Sequence, residues 1–109
     1  MRIETLFSLK GKVAIVTGAA KGNGFAIAEG FVSAGATVYL LDILENKLKE
    51  AAISLNNANA RYIALDITNK AKLKKTVSQI IKSQKRMDIL VNNAGISISE
   101  PSQNYKDSS

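Results

Sequence analysis

Short apolar runs alternate along the chain with longer segments whose apolar residues recur at helical spacing. The runs cover residues 12–17, 37–42, 61–66 and 88–92, and each predicts a strand. Residues 13–16 are apolar without interruption, which is typical of a strand that is buried on both faces of a parallel sheet. The pattern therefore predicts four strands with a helix in each of the three intervals.

The apolar positions between the runs define the inner faces of the predicted helices. The first helix covers residues 23–34, and its inner face consists of Phe25, Ala28, Phe31 and Val32. We expect Ala26 and Gly30, both small, to let this helix approach the sheet closely. The second helix covers residues 44–55. Thr68 is the predicted N-cap of the third, whose inner face consists of Leu73, Val77, Ile80 and Ile81.

The order β-α-β-α-β-α-β with short connections predicts an α/β fold. Right-handed crossovers then give a doubly wound parallel sheet with helices on both faces. For the strand order 3-2-1-4, strands one and four flank the point where the order reverses, and ligands bind beyond the carboxyl ends of strands at such a point. Two turns lie at those ends, at residues 18–24 and 92–95.

The first of these turns has the composition of a phosphate site. Gly18, Gly22 and Gly24 lie between the first strand and the first helix, where backbone N–H groups are unpaired and the helix dipole is positive. The Gly-Lys-Ser/Thr of a P-loop is absent, which disfavours a nucleoside triphosphatase. Glycines after a strand also form purely structural turns, so the turn alone does not decide between the two interpretations.

The bulk composition is that of an ordinary globular domain. The chain has 109 residues, of which 46% are hydrophobic and 22% are charged. Residues 1–11 resemble a short lead-in rather than a signal peptide, and no apolar run is long enough to span a bilayer. Cysteine and histidine are both absent, so we expect no metal site and a cytoplasmic location.

The formal charge of +6 is concentrated late in the chain. The cations of this segment are Lys70, Lys72, Lys74, Lys75, Lys82, Lys85 and Arg86. Such a segment can bind nucleic acid or an anionic membrane, or it can be the solvated face of an amphipathic helix. No aromatic residue is interleaved to stack on bases, so we favour the solvated face and expect neither nucleic acid nor membrane as a partner.

Four features in order resemble the short-chain dehydrogenase/reductase family. They are the glycine turn of residues 17–24, Asp42 after strand two, Asp66 after strand three, and the Asn-Asn-Ala-Gly of residues 92–95. The family hallmarks T-G-x-x-x-G-x-G and N-N-A-G are both present, and the resemblance extends from about Gly11 to Gly95. It implies a Rossmann-like domain and an NAD(P)-dependent oxidoreductase that transfers hydride between a nicotinamide and an alcohol or ketone.

The resemblance also implies a role for each residue of the site. The implied cofactor-binding residues are Thr17, Gly18, Lys21, Gly22, Asn23, Gly24, Asp42, Asp66, Ile67, Asn93, Ala94 and Gly95. The glycines would admit the pyrophosphate, Asp42 would bind the adenosine ribose, and Asp66 with the Ile67 backbone would contact adenine. Residues 93–95 would line the nicotinamide ribose, while Asn92 would join the central strands. The two aspartates could instead be helix N-caps, and the asparagines could be turn formers.

The choice between NAD and NADP depends on two charges. A carboxylate at Asp42 accepts ribose hydroxyls and repels a 2′-phosphate, which favours NAD. Lys21 would attract that phosphate, but a flexible exposed lysine contributes less than a like-charge contact costs. Asn23 replaces the aliphatic residue that the family usually has at this place.

Family catalysis uses a Tyr-x-x-x-Lys pair, and this chain has none. The residues four positions after its three tyrosines are Ile43, Asp66 and Ser109. We therefore assign no catalytic residue and expect the chain to be the N-terminal part of a longer reductase, inactive alone, with a small-molecule substrate only in the full-length form. Residues 96–109 are interpreted as a polar tail, which leaves strand four as an unpaired edge that favours homo-oligomers.

Three functions remain open at this point. The first is the family's hydride transfer, with a sugar acid or a 3-oxoacyl compound as the favoured substrate. The second is a non-catalytic dinucleotide-binding or interaction module. The third is a Rossmann-like methyltransferase, against which Thr17 and the turn at residues 92–95 both argue.

Overall fold

Five strands of the described part of the chain form one sheet in the order β3-β2-β1-β4-β5. A computed structural model of the protein describes residues 8–93 and the backbone of residues 97–99. The elements are β1 (Val13–Thr17), α1 (Gly22–Ser33), β2 (Thr37–Asp42), α2 (Glu45–Ser54), β3 (Ala60–Ala64), α3 (Lys70–Gln84), β4 (Ile89–Asn92) and β5 (Ser97–Ser99). β1 to β4 pair in parallel, which confirms the α/β class and the predicted order 3-2-1-4.

The register of the parallel strands brings their carboxyl ends to one edge of the sheet. Thr17, the last residue of β1, pairs with Leu41 of β2 and with Asn92 of β4. Asp42, the last residue of β2, pairs with Ala64 of β3. The segments that follow β1, β2 and β4 therefore leave the sheet side by side.

Helices cover both faces of the sheet, which accounts for the uninterrupted apolar run in β1. All five residues of β1 are buried. Ala14 and Val16 pack in a cluster with residues of α1 and α2, while Val13 and Ile15 pack with residues of α3 on the opposite face. Ile15 is fully buried, and burying a side chain of this size contributes about 1.5–3 kcal/mol.

The inner face of α1 differs in part from the prediction. Ala28 and Val32 are buried as predicted, and Phe25 and Phe31 pack against the same core as partly buried residues. Ala26 and Gly30 are exposed, so the expectation that they bring the helix close to the sheet was wrong. The buried glycine is Gly24, in the first turn.

The N-cap of α3 is Asn69 rather than the predicted Thr68. The Asn69 side chain accepts a hydrogen bond from the Lys72 backbone N–H at 3.0 Å. Thr68 instead bonds to Asp66, which precedes it in the same turn. Both residue types are good caps. The Thr68 hydroxyl donates its hydrogen bond to Asp66 instead of capping the helix, so the helix starts one residue later, after Asn69.

The inner face of α3 differs from the prediction at one position. Ile80 is buried and Leu73 and Val77 are partly buried, as predicted. Thr76 is buried in place of Ile81, which is 40% exposed. The cations of α3, and Lys85 and Arg86 after it, are all exposed, as expected of a solvated helix face. Within residues 8–93 no helix combines the length and the apolar character that crossing a membrane requires.

The sequence predicted that β4 would be an unpaired edge strand, and this prediction was wrong. β5 lies antiparallel to β4, with Val91 opposite Ile98 and Asn92 opposite Ser97. Strand pairing satisfies ladder N–H and C=O groups that would otherwise remain open at this edge. The sequence did not predict this three-residue strand, because the segment after residue 96 is mostly polar.

Asp88 joins the start of β4 to the start of β1. Its Oδ2 accepts a hydrogen bond from the Val13 N–H at 2.8 Å, and both of its oxygens accept bonds from Arg86 at 2.8 Å. The hydrogen bonds from Arg86 are the main cause that lowers the pKa of Asp88 below its ordinary value, and the Val13 N–H adds to the effect.

This pKa shift predicts an acid-sensitive contribution to stability. Because the folded-state pKa lies below the unfolded one, the contribution is present at neutral pH and is lost as the pH falls from about 5 through the folded pKa. The free energy of unfolding of Asp88→Asn should therefore decline less steeply with acidification than that of the unmodified chain. Urea unfolding between about pH 3 and 7 measures this slope. Glu29→Gln, at an exposed carboxylate of α1, is the control, and equal slopes for all three proteins would contradict the prediction.

Candidate functional site

The turn between β1 and α1 has the backbone geometry of an anion site. Gly18 and Gly22 have φ angles of 64° and 63°, in the left-handed region that glycine adopts most readily. α1 begins after Lys21 without a side-chain cap and with no acidic residue in its first turn. Within the described part of the chain, the N–H groups of residues 22–24 therefore have no acceptor. Such a helix start attracts phosphate or carboxylate groups.

Gly24 allows the first turn of α1 to lie directly against the end of β1. A Cβ atom at this position would overlap the carbonyl oxygen of Gly18 and would lie 2.8 Å from its carbonyl carbon. It would also lie 2.9 Å from Nδ2 of Asn93, which donates a hydrogen bond to the Gly18 carbonyl at 3.4 Å. Any side chain here would thus push the helix away from Gly18 and Asn93.

Thr17 connects the ends of β1 and β4. Its hydroxyl lies 3.3 Å from the Val91 carbonyl oxygen and 3.1 Å from Oδ1 of Asn92, and its side chain is buried. Asn92 thus makes the strand-joining contact expected of it. These contacts hold the turn after β4 next to the glycine turn.

Asp42 is a buried carboxylate at the end of β2. Its Oδ2 accepts a hydrogen bond from the Ala20 N–H at 3.0 Å, and its Oδ1 accepts one from the Leu44 N–H at 3.1 Å. α2 begins after Leu44 without a side-chain cap. Asp42 therefore links the glycine turn to β2 and is not the N-cap that the alternative interpretation proposed.

Asp66 lies at the same edge of the sheet in a different environment. It is exposed, and its Oδ1 accepts hydrogen bonds from the Thr68 hydroxyl at 2.6 Å and from the Thr68 N–H at 2.9 Å. These bonds lower the pKa of Asp66. Ile67 beside it is half-buried and packs against the core of the α3 face. The N-cap alternative for Asp66 was wrong, because α3 is capped by Asn69.

The remaining predicted site residues divide by exposure. Lys21 and Asn23 are exposed at the start of α1. Lys21 lines a cleft of about 300 Å³ between α1 and α2, together with Lys47 and Glu50 of α2. The predicted residues Ala94 and Gly95 lie outside the described residues.

Hydrogen bonds thus join the glycine turn to Asn93 and Asp42, whereas the side chain of Asp66 bonds to Thr68. The sequence did not predict that the Ala20 N–H would bond to Asp42 or that Lys47 would line the cleft beside Lys21. Ala20 contributes only its backbone N–H, which leaves no trace in the residue type, and Lys47 is one of many surface lysines. Among the described residues no group of three or more acidic, His or Cys side chains could hold a metal ion.

Comparison with known proteins gives the family of this fold and site. A family model described as short chain dehydrogenase matches residues 12–109. The chain belongs to the short-chain dehydrogenase family. The sequence predicted this membership from the glycine turn of residues 17–24, Asp42, Asp66 and the Asn-Asn-Ala-Gly of residues 92–95.

Several members of the short-chain dehydrogenase family resemble the chain closely. An NAD-dependent glycerol dehydrogenase of Listeria innocua is 42% identical over 97 residues, which cover 89% of this chain and 38% of that protein. The 3-oxoacyl-(acyl-carrier-protein) reductase FabG of Salmonella typhimurium is 42% identical over 89 residues, covering 82% of this chain and 36% of FabG. The chain therefore spans less than two fifths of the length of these relatives.

A solved structure of the family shares the fold. It is a 3-ketoacyl-(acyl-carrier-protein) reductase from Brucella melitensis, described as complexed with NADH. Its TM-score to this chain is 0.69 at 32% sequence identity, and the match covers 76% of this chain and 34% of the reductase.

Two glycines of α1 provide a matched test of the contact at the start of the helix. Gly24→Ala places a methyl group against Gly18 and should lower the free energy of unfolding by about 1–3 kcal/mol, the usual penalty of overpacking. Gly30→Ala meets no atom within 4 Å and should raise it by about 0.5–1 kcal/mol, because alanine favours a helix interior. Urea unfolding of both variants measures the difference, and equal effects would contradict the assigned contact.

Proposed function

We propose that the chain is the cofactor-binding part of an NAD(P)-dependent oxidoreductase that transfers hydride between a nicotinamide and an alcohol or ketone. The observation that carries the proposal is the start of α1. Its N–H groups at residues 22–24 have no acceptor in the described part of the chain, and Gly24 holds them against the end of β1. The NAD-dependent relative and the neighbour described as complexed with NADH support the same cofactor class.

The residues at this edge of the sheet fit a dinucleotide. The N–H groups of residues 22–24 are donors for a pyrophosphate, and Thr17 and Gly18 shape the approach to them. The Asp42 carboxylate suits the adenosine ribose hydroxyls, and Asp66 with the Ile67 backbone suits adenine. Asn93, Ala94 and Gly95 complete the proposed site near the nicotinamide ribose, and Asn23 contributes to the site at the helix start.

The bound nicotinamide supplies or accepts the hydride. The residues of this chain bind and orient that group, and none of them is assigned a proton-transfer role, because the sequence contains no Tyr-x-x-x-Lys pair. We propose that the chain alone binds cofactor without turnover. For a full-length form the relatives favour a polyol-type or 3-oxoacyl substrate, since they include a glycerol dehydrogenase and a 3-oxoacyl reductase.

A non-catalytic dinucleotide-binding module is the second candidate function. The missing Tyr-x-x-x-Lys pair favours it, because a chain without proton-transfer residues can still hold a cofactor. The two candidates predict the same binding and differ in turnover. The difference in turnover concerns a full-length form: oxidation of NADH by that form in the presence of a ketone substrate would support the first candidate and exclude the second.

The selectivity that we propose is for NAD over NADP. Asp42 is buried and close to the glycine turn, so a 2′-phosphate would approach its carboxylate. Lys21 is exposed in the cleft beside Lys47, where water screens its charge. The buried carboxylate therefore outweighs the exposed ammonium group.

Binding of NADH is the first test of the proposal. The chain has no tryptophan, so the fluorescence of NADH itself reports binding and should rise on titration with the protein. Gly24→Ala should weaken binding at least tenfold, because the donor N–H groups move with the helix start. Gly30→Ala, on the exposed side of the same helix, should retain it. Unchanged NADH fluorescence at high protein concentration, or binding of S-adenosylmethionine instead, would contradict the proposal.

Cofactor selectivity is tested by comparing the two cofactors and by removing the charge of Lys21. The unmodified chain should bind NADH about tenfold more tightly than NADPH, which corresponds to about 1.4 kcal/mol. Lys21→Ala should weaken NADPH binding further and leave NADH binding nearly unchanged. Lys82→Ala, which removes an exposed lysine of α3, is the control. Equal affinities of the unmodified chain for the two cofactors would refute the assignment to Asp42.

A further inference from the structure

The Asp42 carboxylate uses both of its oxygens to bind backbone. One oxygen accepts a hydrogen bond from Ala20, inside the glycine turn, and the other accepts one from Leu44, just before α2. The residue is only 9% exposed. Hydrogen bonds to an ionised acceptor are stronger than those between neutral groups, so this carboxylate is a firm link between the two segments.

The hydrogen bond from Ala20 to Asp42 restrains a turn that contains two glycines. Gly18 and Gly22, on either side of the linked residues, both adopt left-handed φ angles and have no side chain to restrict them. Between them, Ala19 donates its N–H to the Leu41 carbonyl at 3.2 Å and Ala20 donates to Asp42. Two successive N–H groups of the turn are thus anchored to the end of β2.

We propose that Asp42 is a positioning residue, which holds the glycine turn in the conformation that receives a diphosphate. This proposal rests on the function proposed above and adds to it a second role for a residue expected to bind ribose. Without the anchor, the turn would have to be ordered when the ligand binds, and that ordering would reduce affinity.

The two roles of Asp42 are compatible. A carboxylate has about four acceptor positions, and the bonds to Ala20 and Leu44 occupy two of them. The other two remain for ribose hydroxyls. The Ala20 N–H, by contrast, is already used, so phosphate oxygens need other donors, among them the N–H groups of residues 22–24.

A pair of nucleotides separates the positioning role from ribose recognition. ADP and 2′,3′-dideoxy-ADP carry the same diphosphate and adenine and differ only in the ribose hydroxyls. Calorimetric titration should show that Asp42→Ala weakens binding of the dideoxy nucleotide about fivefold, the loss that corresponds to one ordinary hydrogen bond. If Asp42→Ala and the unmodified chain bind 2′,3′-dideoxy-ADP equally, while ADP binding falls, Asp42 contacts ribose only and the proposal is wrong.

Hydrogen exchange of the Ala20 amide tests the positioning role of Asp42 in the absence of any ligand. In the unmodified chain we expect slow hydrogen exchange of this amide by NMR, and in Asp42→Ala we expect exchange at least tenfold faster. Glu45→Gln removes a neighbouring exposed carboxylate at the start of α2 and should leave the Ala20 amide unchanged. An Ala20 amide that exchanges equally in Asp42→Ala and in the unmodified chain would overturn the proposal.

The two measurements distinguish this inference from the proposed function. If neither nucleotide nor NADH binds the unmodified chain, the proposed function fails and the Ala20 amide still decides the positioning role. If Asp42→Ala does not fold, Asp42→Asn takes its place. Asn retains one carbonyl acceptor but loses the negative charge, so its bond to Ala20 should be weaker. Compared with the unmodified chain, Asp42→Asn should therefore show faster exchange at Ala20 and lower affinity for 2′,3′-dideoxy-ADP, with smaller changes than complete loss of the bond would cause. Values for Asp42→Asn equal to those of the unmodified chain would count against the proposal.

Discussion

The contact between Gly24 and the Gly18 carbonyl is the constraint on which the rest of the site depends. There is no space for a side chain between the first turn of α1 and the end of β1. This close approach brings the N–H groups of the helix start to the edge of the sheet. It also leaves room for Asn93 to bond to the same Gly18 carbonyl. Because Gly24 has no Cβ atom, the start of α1, the end of β1 and the segment after β4 can meet at a single point.

The parallel register makes the remaining contacts possible. Because β1 ends level with both of its neighbours, the polar residues that follow each strand meet without long side chains. Thr17 reaches β4, and Asp42 reaches the turn after β1. The buried apolar residues on both faces of β1 hold the strands at this register, since a slip would move every side chain of the strand to the other face.

The two aspartates show that equal positions in a sequence pattern do not imply equal environments. Asp42 ends a strand, Asp66 follows one, and both accept backbone hydrogen bonds. Asp42 ends a central strand, so it is enclosed by its neighbours and bonds to a segment 22 residues away. Asp66 follows β3, at the edge of the sheet, and its bonds go to Thr68 two residues on. Position within the sheet decides which aspartate organises the turn.

The sequence by itself determined the class of the fold, the strand order and the family, because these follow from local apolar periodicity and from short motifs around glycine and asparagine. It also located the glycine turn and Asp42. Only the tertiary structure decided that Gly24, and not Gly30, forms the close contact, that β5 pairs with β4, and that Asp42 bonds to Ala20. These depend on which atoms meet across long separations in the chain, and backbone N–H groups and strand edges are the same whatever the residue type.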